Sequence, residues 1–68
     1  MAMLNLVRLW RRRRRLIREA VEEAQFLRLR HGPSAVRAAQ DKLSRPDLTV
    51  WGRRVLNEAL RLMRKGRA

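Results

Sequence analysis

At roughly 100° of rotation per residue, Leu6, Leu9, Trp10, Ile17, Ala20, Ala24, Leu27 and His31 fall on one broad stripe. Neither proline nor glycine interrupts the chain from Met3 to Arg30, and most residues between are good helix formers, so the pattern predicts an amphipathic helix over residues 3–30. Arg13 interrupts the stripe in its middle. His31-Gly32-Pro33-Ser34 then supplies a stop and a restart, because glycine takes the left-handed conformation that ends a helix and proline suits the first turn of the next. Ala35, Val36, Ala39 and Leu43 share one side of a short second helix over residues 34–43, and their small size implies close approach to a neighbour. Ser44-Arg45-Pro46-Asp47 breaks that helix, and Asp47 or Thr49 can cap a third over residues 48–65, with Gly66 just past its end. Leu48, Trp51, Val55, Ala59, Leu62 and Met63 share a face of this last helix, with Asn57 among the residues opposite. No strand alternation and no internal repeat is present. The expected fold is all-α, a small three-helix, hairpin-like domain with a long N-terminal helix.

Length turns this pattern into an organisation. At 1.5 Å per residue the three helices measure about 42, 15 and 26 Å. Joined by short connections, the second and third can cover only the later half of the first, near Leu16 to His31. The chain therefore divides into a basic amphipathic arm, residues 1–15, and a small helical domain, residues 16–68. The arm carries Met1, Met3, Leu4, Leu6, Val7, Leu9 and Trp10 together with six arginines, and the monomer has nothing left to bury them. Pairs such as Arg15 with Glu19 and Arg18 with Glu22 are spaced to link successive turns.

Ala24, His31-Gly32, Ala35, Ala39, Asp47 and Trp51, followed by a closing apolar helix, form a pattern A..L...HG..A...A......D...W......L over residues 20–62. It resembles that of a group of small alphaproteobacterial helical proteins of no assigned activity. The resemblance implies a helical fold and carries no function, and it stops short of the arginine-rich start.

Charge changes the picture most. Lysine and arginine number 18 against six acidic residues, a net charge of +12, and all but Lys42 and Lys65 of the cations are arginine. So much like charge on a short chain repels itself, and a polyanion relieves it. The chain has no cysteine and one histidine, which excludes disulfides and the usual four-ligand structural zinc site. No segment approaches the run of ~20 apolar residues that a membrane span needs. In MAMLNLVRLW the charge follows the apolar stretch, the reverse of a signal peptide, so a cytoplasmic location, peripheral to a membrane where the arm docks, is expected.

Candidate chemistry concentrates in the arm. Arg8, Arg11, Arg12, Arg13, Arg14, Arg15 and Arg18 form a dense cationic collar that points around the helix and so cannot present one face to read bases. Beside it, Leu6, Leu9 and Trp10 suit an interfacial anchor, with tryptophan at the depth it prefers. Docking on an anionic membrane surface, or on a membrane-protein complex, uses both parts. The alternative is a sequence-blind nucleic-acid binder, with Arg53, Arg54, Arg61 and Arg64 as a further basic patch; it explains the charge and leaves the apolar residues idle. A third reading pairs the apolar arm with a partner helix or a second copy, where an antiparallel homo-oligomer sets each collar beside the partner's acidic residues near Glu19, Glu22 and Glu23. His31 reads as a helix-end residue and Trp51 as a core anchor. Glu22 and Glu23 point about 100° apart and make no dyad, Gly32 and Gly52 are too distant to make a phosphate loop, and Gly52 suits close packing. No enzyme, cofactor, metal or small-molecule substrate is expected.

Overall fold

The structure of the protein is a computed structural model that describes residues 2–66, with side chains from residue 5 onward, so Met1 and the side chains of Met3 and Leu4 in the arm lie outside the described residues. The chain is all-α: α1 (Ala2–His31), a 3-10 turn (Gly32–Ser34), α2 (Ala35–Leu43) and α3 (Val50–Arg64). Gly32 follows the end of α1 with φ 57°, the left-handed backbone expected of it, and with Pro33 forms the turn that takes in Ser34, the first residue expected in the second helix.

The third helix starts two residues later than the sequence pattern places it. Thr49 is extended (φ −69°, ψ 161°), and its Oγ1 accepts a hydrogen bond from the Gly52 N–H at 2.9 Å, so Thr49 rather than Asp47 is the cap and Leu48 precedes it. Gly52 permits closeness, but of the chain to itself. A Cβ there would meet Leu48 Cδ1 and Thr49 Oγ1 at 3.0 Å each.

Cross-helix contacts set the directions. Lys42, at the end of α2, reaches Glu23 at 3.0 Å; Trp51, at the start of α3, meets Glu19 at 3.2 Å; Arg28 donates to the Met63 carbonyl, near the end of α3, at 3.4 Å. Thus α2 runs antiparallel to α1, and α3 runs parallel to it, beginning beside Glu19 and ending beside Arg28. Both cover the later half of α1, whose 30 residues account for the 45 Å longest dimension.

The core consists of Ala20, Ala24 and Leu27 from α1, Ala35 and Ala39 from α2, and Leu56, Ala59, Leu60 and Met63 from α3. Alanines at the contacts let the helices approach closely, and among the described residues Leu27 is the one large side chain fully enclosed. On α3 the buried arc departs from the expected one. Trp51, Val55 and Leu62 are half-buried at its edge, while Leu56 and Leu60 sit inside, a rotation of roughly a quarter turn. The cause is that α3 packs against two helices at once, so its buried arc centres on the gap between α1 and α2. His31 is exposed, because the chain turns away at that point.

Candidate anionic-surface interface

Every described side chain from residue 5 to residue 15 is exposed. Leu6, Leu9 and Trp10 are 64%, 63% and 60% accessible, and by helical spacing they continue the side of α1 that carries Ala20, Ala24 and Leu27 into the core. The core face thus runs out from under α3 near Ile17 and proceeds bare along the arm. Arg13 lies on it. Arg12 and Arg14 flank it, while Arg8, Arg11, Arg15 and Arg18 lie toward the back. Arg11, Arg14, Arg15 and Arg18, spaced at i, i+3, i+4 and i+7, line one shallow basic depression.

The collar is tied to the domain at one end only. Arg15 Nε donates to Glu19 Oε2 at 2.9 Å, and its guanidinium lies 5.5 Å from the centroid of Trp51; the Trp51 indole N–H in turn donates to both oxygens of Glu19 at 3.2 Å. The hydrogen bond from Trp51, with that from Arg15 and the charges of Arg15 and Arg18, holds the Glu19 carboxyl below its ordinary value against partial desolvation. Further out, the Arg14 guanidinium sits 4.7 Å from the centroid of Trp10, a cation-π contact that leaves the ring on the arm's surface.

Where the arm leaves the domain, Leu9, Arg12, Arg13, Leu16, Trp51 and Arg54 enclose an open notch of about 330 Å³. The α1 residues form its floor, and the first turns of α3 form its wall. Arg54 faces the arm here instead of joining a second basic patch. The other arginines assigned to that patch have separate surroundings: Arg53 donates to the Leu43 carbonyl at 3.0 Å, closing the end of α2; Arg61 pairs with Glu58; Arg64 is exposed. The Arg61 hydrogen bond is the largest influence holding the Glu58 carboxyl low, and the same pair raises the Arg61 guanidinium. The structure therefore groups Arg54 with Arg12 and Arg13, which helical spacing within either helix does not reveal.

A second cleft, about 420 Å³, opens between α1 and the loop before α3 and includes Glu19, Glu23, Lys42, Asp47 and Trp51. Its α1 carboxylates are already engaged, Glu19 by Arg15 and Trp51, and Glu23 by Lys42. Of Glu19, Glu22 and Glu23, that engagement leaves Glu22 as the exposed one open to a partner's collar. Among the described residues no group of three His, Cys, Asp or Glu is placed to hold a metal ion, and no helix is long and apolar enough to cross a membrane. Comparison with protein-family models, with curated proteins and with solved structures gives no match for this chain.

Proposed function

We propose that the protein is a non-enzymatic docking protein that attaches to an anionic membrane face, bare or bearing a membrane complex, through the arm of α1. The supporting observation is the exposure of Leu6, Leu9 and Trp10 on one side of a helix whose flanks and back carry arginine. A helix with leucine and tryptophan on one side and arginine on the other lies in the interface with its apolar side down. Each cation near such a surface contributes on the order of 1 kcal/mol, so the collar supplies a reversible attraction of several kcal/mol that salt weakens.

The fold adds a constraint on posture. Helices α2 and α3 pack on the same side of α1 as the apolar stripe, and packed helix axes stand about 8–10 Å apart. An arm of about 20 Å with such a step at its base meets a flat surface at an inclination of roughly 25°. In that posture the tip enters most deeply, and the first turn of α3, with Val50 80% exposed and Arg54 beside it, rests at headgroup level.

Nucleic-acid binding is the second reading, favoured by the placement of Arg8, Arg11 and Arg18 on the back of α1, away from the stripe and open to solvent. A competition decides between them: anionic vesicles and a random-sequence duplex offered together to the protein at physiological salt. Capture by vesicles is expected, lost when Arg11, Arg12, Arg13, Arg14 and Arg15 become glutamine and weakened by Trp10→Ala. Retention on the duplex, with Trp10→Ala neutral, replaces the membrane by nucleic acid.

A further inference from the structure

Arg13 occupies a costly position. It stands in the middle of an apolar stripe, where a guanidinium facing a membrane or a partner helix is stripped of water unless an anion meets it. The notch at the base of the arm places two more guanidiniums around it, Arg12 from the flank of α1 and Arg54 from α3. Among the described residues no carboxylate lines this notch. The ion pairs among the described residues, Arg15 with Glu19, Lys42 with Glu23 and Arg61 with Glu58, use none of the three. Glu58 feels the charge of Arg13 at longer range, but its hydrogen bonds go to Arg61. The remaining lining, Leu9, Leu16 and Trp51, is apolar, and Trp51 is held in place by its hydrogen bonds to Glu19.

We infer that this notch is a binding site for one lipid headgroup carrying a phosphate monoester. The inference rests on the membrane-docking reading and names the ligand that the arm's base selects. Guanidiniums are planar forks that bind phosphate oxygens in pairs, and a monoester offers three free oxygens and nearly two charges at neutral pH. A phosphodiester or a serine headgroup offers fewer. Leu9 and Leu16 then receive the glycerol and the start of the acyl chains, so that one ligand satisfies both the charge and the grease of the notch. In the inclined posture the notch lies at the depth of lipid phosphates.

The test uses the full chain and phosphatidylcholine vesicles carrying either phosphatidic acid or phosphatidylserine at matched surface charge. The protein is expected to prefer phosphatidic acid by about tenfold, which is about 1.4 kcal/mol. Replacing Arg12, Arg13 and Arg54 by glutamine should erase the preference and leave charge-driven binding to both. An equal loss of charge on the back of α1, Arg8→Gln with Arg11→Gln and Arg18→Gln, should weaken both and keep the preference. A native protein without the preference, or a notch variant that retains it, overturns the site. A second measurement separates the site from the docking reading: Trp51 emission in a Trp10→Phe background, titrated with a soluble short-chain phosphatidic acid and with inorganic phosphate. Saturable binding of the short-chain lipid, lost in Arg54→Gln, supports the notch even where no vesicle binds, in which case the docking reading fails and the site stands. Equal affinity for inorganic phosphate overturns the lipid assignment.

Discussion

Glu19 joins two residues that sequence spacing assigned to separate roles, Arg15 to the collar and Trp51 to the core. It receives Arg15 from the collar one turn earlier and the indole N–H of Trp51 from α3, so one carboxylate aligns the base of the arm with the wall of the notch. The i, i+4 pair was legible in the sequence; the indole was not, because a core tryptophan and a hydrogen-bonded tryptophan look alike until the partner helix is placed. The folded carboxyl lies below its ordinary value of 4.5, so the stabilisation it gives is complete above that pH and is lost as pH falls through the lowered value. In a Trp10→Phe background, Trp51 emission should therefore hold steady down to pH 4.5 and change below it. Glu19→Gln keeps an acceptor for the indole and removes the proton, so its emission should vary far less over the same range. An undiminished acid transition in Glu19→Gln would assign the change to some other group, and the clamp at the base of the arm would not depend on ionisation.

At the scale of elements, proline, glycine and helix-forming runs placed three helices and their breaks, and they did so because such signals act locally. The direction of α3 and the rotation of its buried face depend on two neighbours at once, which no periodicity within α3 records. The residues that did announce themselves are the small ones on α2. Ala35 and Ala39 are buried against α1 and α3, and Ala39 is wholly enclosed, which sets how closely the three helices approach. An inserted leucine has no space to enter without spreading α2 from its neighbours. Ala39→Leu should therefore destabilise the fold by about 1–3 kcal/mol despite adding apolar surface. In a domain of this size, whose core supplies roughly 3–5 kcal/mol, that loss is large and will shift the urea midpoint down. An unchanged or higher midpoint would mean that the helices tolerate a wider spacing and that alanine here reflects no constraint.

At the scale of the molecule, folding and docking respond to salt in opposite directions, and the charge balance decides both. Eighteen basic residues against six acidic ones leave repulsion dominant within the folded chain, while the three ion pairs among the described residues are at or near the surface, where solvent screens them and each contributes little. Raising the ionic strength from about 0.01 M to 1 M shortens the screening distance from about 30 to about 3 Å, which relieves repulsion between neighbouring turns of the collar as well as across the bundle. The melting temperature should therefore rise with sodium chloride, while vesicle capture falls over the same series because the collar is screened from the surface it seeks. Glutamine in place of Arg11, Arg12, Arg13, Arg14 and Arg15 should flatten both slopes together, since one cluster carries most of the arm's charge. A melting temperature that falls with salt would show ion pairs outweighing repulsion, and the collar would then be a stabilised part of the fold in no need of an anionic surface. A rise in melting temperature with vesicle capture insensitive to salt would assign attachment to Leu6, Leu9 and Trp10 alone, with arginine keeping the arm soluble until it reaches an apolar partner.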